Sequence, residues 1–227
     1  AVLARGRMTF GSCFSGYGGL DLGFERAGLT CRWQVEIEAG ARAVLAKHWP
    51  DVQRYEDVRD VGAHNLERVD VIAGGFPCQP FSAASRGRRT RPRALWPEMR
   101  RVVSELRPTW VIAENVPQFD RGPLDEMVSD LEALDYEVAP PLEIPACAFG
   151  LDHWRPRLWI LGHTNRHGES GLSIDAEVAR LSRRDCDAGG VGASDVVPGR
   201  MERLEGIGNA VPPVMAQWIG ERLMEVS

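Results

Sequence analysis

The run Val69-Asp70-Val71-Ile72-Ala73 constrains the fold more than any other part of the chain. It is β-branched, closed by Gly74 and Gly75, and short enough to form a strand buried on both faces, as in a parallel sheet covered by helices. Gly74-Gly75-Phe76-Pro77-Cys78-Gln79-Pro80-Phe81-Ser82 follows at once. Cys78 therefore falls in the loop at the strand's carboxyl end, the edge on which open α/β sheets place ligands and reactive groups. Pro77 and Pro80 narrow the backbone choices around the thiol. Taken alone, this cysteine reads equally well as a buried structural residue, a common fate of free cysteine.

The rest of the chain repeats the pattern. Met8 to Phe14 reads as a strand running into Ser15-Gly16-Tyr17-Gly18-Gly19, after which Leu20, Phe24 and Ala27 recur at helical spacing until Gly28. A glycine loop of this kind lets a ligand approach the backbone and aims helix N-terminal amides at it. Its spacing departs from the dinucleotide fingerprint, so NAD is not the first choice. Cys31 to Val35 is a second strand ending at Glu36, with a helix through Ala39, Ala43, Val44 and Ala46 that stops before Pro50. Lying about twenty residues beyond the loop, Glu36 could accept both hydroxyls of a ribose, or be an ordinary surface glutamate. Asp57 follows a short strand from Val52 to Tyr55 and could accept a proton from an exocyclic amine.

Glu98 to Leu106 reads as a helix with Met99, Val102, Val103 and Leu106 on one face, ended by Pro108. The strand Trp110 to Ala113 delivers Glu114-Asn115-Val116 to the edge that carries Cys78. A carboxyl held there among apolar groups would have a raised pKa suited to proton donation. A helix from Leu124 to Leu134 and a strand from Tyr136 to Leu142 continue the alternation. Arg155 and Arg157, at the start of the strand Leu158 to Leu161, point to one side and could clamp an anion. Gly208-Asn209-Ala210-Val211 precedes a helix whose apolar residues Met215, Trp218, Ile219, Leu223 and Met224 should pack on the sheet.

With 227 residues, 44% of them hydrophobic, the chain can bury a substantial core. No apolar stretch approaches bilayer length and the N-terminus lacks the apolar region of a signal peptide, so a cytoplasmic protein is expected. Five scattered cysteines without a C-x-x-C pair predict reduced thiols. His163, His167 and Cys186 lack a fourth partner for zinc, and no metal is expected. A formal charge of −5 argues against a uniformly basic coat. Arg86, Arg88, Arg89, Arg91 and Arg93 nevertheless crowd one stretch just after Cys78, either as a solvated loop or to hold phosphates.

The ordered set Phe14-Ser15-Gly16-Tyr17-Gly18-Gly19, Glu36, Asp57, Pro77-Cys78-Gln79, Glu114-Asn115-Val116, Arg155-x-Arg157 and Gly208-Asn209-Ala210-Val211 resembles the DNA (cytosine-5)-methyltransferase family, over residues 8 to 162 and 199 to 226. The resemblance implies an α/β fold: a Rossmann-like, S-adenosylmethionine-dependent methyltransferase sheet with helices on both faces. Residues 1–162 and 199–227 would form the catalytic domain, with 163–198 a much reduced target-recognition segment. It further implies S-adenosyl-L-methionine, leaving as S-adenosyl-L-homocysteine, bound by Phe14, Gly16, Gly18, Gly19, Leu20, Glu36, Ile37, Asp57 and Pro77 and enclosed by Asn209 and Val211. Cys78 would attack carbon 6 of cytosine, Glu114 would bind ring nitrogen 3, and Arg155 and Arg157 would orient the cytosine carbonyl and the neighbouring backbone, with Asn115 completing the catalytic set. Gln79, Ser82 and the five arginines would contact double-stranded DNA. A monomer in a bacterial or phage restriction-modification setting is expected, unless a partner supplies target recognition.

Two features depart from the family: His153 stands where glutamine is frequent, and fewer than forty residues occupy the place of a sizeable recognition domain. A tRNA cytosine-5 methyltransferase would share these motifs. A cofactor-binding scaffold or partner-dependent half-enzyme is the non-catalytic alternative. A zinc nucleobase deaminase is excluded because Pro77-Cys78-Gln79-Pro80 lacks the second cysteine of P-C-x-x-C.

Overall fold

The computed structural model describes residues 7–76, 95–117, 121–151, 154–164 and 211–225. In chain order they form β1 (Thr9–Cys13), α1 (Gly19–Arg26), β2 (Thr30–Val35), α2 (Ala39–His48), β3 (Gln53–Tyr55), β4 (Val71–Gly75), α3 (Trp96–Leu106), β5 (Trp110–Asn115), α4 (Arg121–Glu132), β6 (Tyr136–Val138), β7 (Leu142–Pro145), β8 (Pro156–Thr164) and α5 (Pro213–Glu225). Short 3₁₀ turns cover Val58–Asp60 and Ala146–Phe149.

One sheet runs β3-β2-β1-β4-β5-β8-β6, with β7 also paired to β8. The first five strands are parallel, and β8 runs antiparallel to β5, β6 and β7. Period-two alternation sends the side chains of the central strands into two apolar layers. Val71, Ala73, Trp110, Ile112, Trp159 and Leu161 face a core completed by α1, α2 and α5. Ile72, Val111, Ala113, Leu158 and Ile160 face one completed by α3 and α4. This is the expected α/β sheet with helices on both faces. Strand order reverses between β1 and β4, so their carboxyl ends open the crevice in which such sheets bind ligands.

Several elements differ from the sequence expectation. The single strand from Tyr136 to Leu142 is two strands, because Pro140 and Pro141 cannot donate to a ladder; β6 and β7 pair with opposite ends of β8. Helix α3 begins at Trp96, two residues ahead of the expected Glu98, and ends at Leu106 as expected, with Arg107 in the left-handed region, φ 51°, ahead of Pro108. Helix α5 packs closely on α1, where an added Cβ at Gly23 would lie 2.4 Å from the Pro213 carbonyl oxygen. Met224 is turned away from that face and is 38% exposed. Cys13 and Cys31 are free, buried thiols, whereas Cys147 is disulfide-bonded, against the expectation of reduced thiols throughout. Among the described residues no helix is long and apolar enough to cross a membrane, and no group of three metal-ligating side chains occurs.

Candidate active site

The carboxyl ends of β1, β2, β4 and β5, with the start of antiparallel β8, share one edge. At β1 the chain leaves Cys13 through Phe14 at φ 56°, a left-handed conformation uncommon for a bulky residue, and continues through Gly16 at φ 54° and Gly18 at φ 80°. Gly18 caps α1, and its missing Cβ leaves room for the Trp49 ring, which that atom would meet at 2.6 Å. Among the described residues, an added Cβ on Gly16 would find only the Phe14 carbonyl oxygen within reach, at 4.0 Å. Gly19 lies against the backbone of Val211, so the C-terminal segment does return to the glycine loop. The Leu20 side chain is buried in the core with α5, which leaves its backbone for a ligand.

Glu36 follows β2 and is only 8% exposed. Its Oε2 accepts the Gly16 amide at 2.6 Å and its Oε1 the Glu38 amide at 2.8 Å. The carboxylate is thus tied to the glycine loop, and each oxygen keeps lone-pair capacity for a further donor. Ile37 beside it is 60% exposed. Asp57 accepts from the backbone and guanidinium of Arg59, a partner that sequence reasoning did not anticipate. A glycine loop with no described side chain over Gly16, a nearly buried carboxylate bonded to its amide and an exposed apolar side chain alongside suit a nucleoside with a vicinal diol.

Farther along the edge, β4 carries the chain to Phe76, two residues before Cys78. The Asn115 Nδ2 donates to the Phe76 carbonyl at 3.4 Å, tying the loop entrance to β5, while its Oδ1 accepts the Val116 amide at 2.8 Å. Glu114 is 7% exposed and Arg157 is equally buried. The Arg157 Nε stands 2.7 Å from the Glu114 Oε1, so the anion clamped by this arginine is a side chain of the protein itself. Burial pushes the Glu114 carboxyl up to about 7, against the opposing pull of Arg157 and then Arg155. Arg155, at φ 23°, has its own pKa lowered by burial and by Arg157. Gly75, paired with Glu114 across β4 and β5, makes room for this carboxylate, since a Cβ there would lie 2.7 Å from the Oε2.

Burial pushes the Cys13 thiol up to about 12 and raises Cys31 as well, so neither supplies thiolate near neutral pH. Pro77, Cys78, Gln79, Ser82, the arginines from Arg86 to Arg93, His153, residues 165 to 198 and Asn209 lie outside the described residues. Sequence reasoning missed Asp21, which is fully buried in α1 against Ser12 and Gln34, with its carboxyl pushed up to about 6 by burial. The signal was present: Asp21 stands three residues before Phe24, within the inward helical stripe.

A family model for C-5 cytosine-specific DNA methylase matches residues 8–184. The chain belongs to that family. Relatives include the Type II methyltransferase M2.BsuMI of Bacillus subtilis, 32% identical over an alignment of 164 residues, with 68% of this chain and 41% of the relative covered. The Type II methyltransferase M.FnuDI of Fusobacterium nucleatum is 31% identical over 183 residues, covering 78% of this chain and 53% of its own. The chain thus spans about half the length of the relatives it matches. Among solved structures, an Escherichia coli prophage-encoded protein described as a DNA modification methyltransferase superposes with a TM-score of 0.64 at 29% identity, covering 74% of this chain and 49% of that one. The Dnmt2 methyltransferase of S. pombe gives 0.62 at 18% identity, over 75% and 55% of the two chains, a likeness of fold.

Proposed function

We propose that this chain carries the cofactor-binding and catalytic part of an enzyme that methylates carbon 5 of a flipped-out cytosine in DNA, by way of a covalent adduct with Cys78. The observation that carries the reading is Glu114: a nearly buried carboxyl, pushed up to about 7, held by Arg157 on the sheet edge where β4 runs toward Cys78. Carbon 5 of cytosine is too electron-poor to attack a methyl group unaided. A Cys78 thiolate adding to carbon 6 forms an S–C bond and turns the ring into an enamine. Glu114, present in good part as the acid near neutral pH, hydrogen-bonds ring nitrogen 3 and stabilises the charge delivered there, with Arg157 and Arg155 orienting the base. When bound, S-adenosylmethionine supplies the electrophilic methyl group. After transfer a base removes the carbon 5 proton and the S–C bond breaks, releasing Cys78.

In this reading Glu36 accepts the ribose hydroxyls, Ile37 and Asp57 border the adenine, and the loop from Phe14 to Leu20 with Pro77, Asn209 and Val211 closes around the donor. The target base leaves the stack at a cost of a few kcal/mol. Gln79, Ser82 and the arginines from Arg86 to Arg93 hold the DNA. Residues 163–198, of which His163 and Thr164 still belong to β8, form a reduced target-recognition segment beside a catalytic domain of residues 1–162 and 199–227. The test is incubation with tritiated S-adenosylmethionine and either duplex DNA or tRNA, followed by nucleoside analysis, for the parent and Cys78→Ser. Label on carbon 5 of DNA cytosine, lost in the variant, is expected. Label in tRNA alone would move the substrate to RNA, and cofactor binding without label in either would make the chain a scaffold.

A further inference from the structure

We infer that Asp21 is a positioning residue, whose buried carboxylate locks a shifted register between β1 and β2 and so holds Glu36 against the glycine loop. The inference rests on the reading of Glu36 as the ribose ligand and adds the device that places it. The β1–β2 ladder is irregular: Phe10 is opposite Cys31 but Gly11 is opposite Trp33, so Arg32 is an extra residue on β2. Beyond that bulge Ser12 pairs with Gln34 and Cys13 with Val35. Without it Ser12 would face Trp33, and Glu36 would arrive one residue out of step with the glycine loop. A slip of one residue also turns side chains to the opposite face of the sheet.

Asp21 grips the first polar rung after the bulge. Its Oδ2 accepts the Ser12 hydroxyl at 3.0 Å, and its Oδ1 accepts the Gln34 Nε2 at 2.9 Å. The orientation of Gln34 is settled from the far side, where Arg54 donates to its Oε1 at 3.1 Å and to the Trp49 carbonyl at 2.6 Å. The amide nitrogen of Gln34 must therefore face Asp21. A fully buried carboxylate is costly unless its oxygens are satisfied, and here each oxygen is satisfied by a different strand of the ladder. In the unshifted register Trp33 would replace Gln34 on this rung, and the carboxylate would lose that donor. The rung stands two residues before both Phe14 and Glu36. Downstream of it the Ser15 amide donates to the Val35 carbonyl at 3.0 Å and the Gly16 amide to the Glu36 Oε2 at 2.6 Å.

The experiment is a double-mutant cycle on S-adenosylhomocysteine affinity, read by titration calorimetry of the full chain with thermal midpoints measured alongside. Asp21→Ala is expected to weaken binding by about tenfold or more, the scale for losing hydrogen bonds to a charged group. Combining it with Glu36→Ala should weaken binding no further than Glu36→Ala alone. Asp21→Asn should bind within about threefold of the parent, because the Ser12 hydroxyl can turn to accept from the new amide. If Asp21→Ala does not fold, Ser12→Ala takes its place, with a loss of roughly threefold that again vanishes in the Glu36→Ala background. Losses that multiply, or parental affinity in both Asp21→Ala and Ser12→Ala, would overturn the inference while leaving Glu36 as the ribose ligand. Parental affinity in Glu36→Ala would instead remove the ribose assignment, and the inference with it.

Discussion

Gly19 and Val211 touch so closely that a Cβ on the glycine would stand 2.2 Å from the Val211 carbonyl oxygen. The obstacle is backbone, which cannot swing aside as a side chain would. The glycine loop and the segment leading into α5 therefore form one structural unit at the mouth of α1.

Gly19→Ala is expected to lower stability by about 1–3 kcal/mol, the range for overpacking a tight contact. It should also weaken S-adenosylhomocysteine binding, because the segment that includes Val211 closes the loop. Urea unfolding and calorimetry on the purified variant check both, and parental values in each would show that the contact yields freely.

Glu114 predicts a pH dependence of stability with a definite sign. Its carboxyl titrates from 4.5 in the unfolded chain to about 7 in the folded one. The stability tied to its protonation is fully present below the unfolded value and is lost as pH rises through the folded one. Relative to Glu114→Gln, the parent should lose stability from about pH 5 to about pH 8 and change little beyond. Denaturant midpoints across that range measure it. A parent that gains on the variant as pH rises would mean that Arg157 outweighs burial.

The same variant separates chemistry from binding. The amide that replaces the carboxyl cannot deliver a proton to ring nitrogen 3, so Glu114→Gln should slow single-turnover methyl transfer by roughly 10²-fold or more while DNA affinity changes far less. Quench-flow with labelled cofactor reads the rate. A parental rate with weakened DNA binding would make Glu114 a binding residue.

DNA affinity against salt concentration tests the arginine stretch. Neutralising Arg86, Arg88, Arg89, Arg91 and Arg93 should flatten the salt dependence more than deleting residues 166–196, because each lost phosphate contact removes close to one unit of slope. The deleted segment carries acidic residues, Glu169, Asp175, Glu177, Asp185, Asp187 and Asp195, beside its arginines. An unchanged slope in the arginine variant would assign phosphate binding elsewhere.

Much of this architecture is legible in the residues themselves. The apolar runs ending at Gly75 and Asn115, the inward stripe Met99, Val102, Val103 and Leu106, and the glycine loop followed by Glu36 are local patterns with period two or 3.6, so burial of one face dictates each element. Relationships across space are another matter. Nothing in the run Leu158 to Leu161 states that β8 lies antiparallel to β5, yet that pairing is what carries Arg157 to Glu114. Asp57 gives no local sign of its fork with Arg59, and an aspartate inside a helical stripe does not name Ser12 and Gln34 as its partners. Periodicity determined which faces are buried. Strand order, strand direction and the one-residue bulge at Arg32 decided which polar groups meet, because ladder register is settled only when both strands and the helix above them have found a common packing.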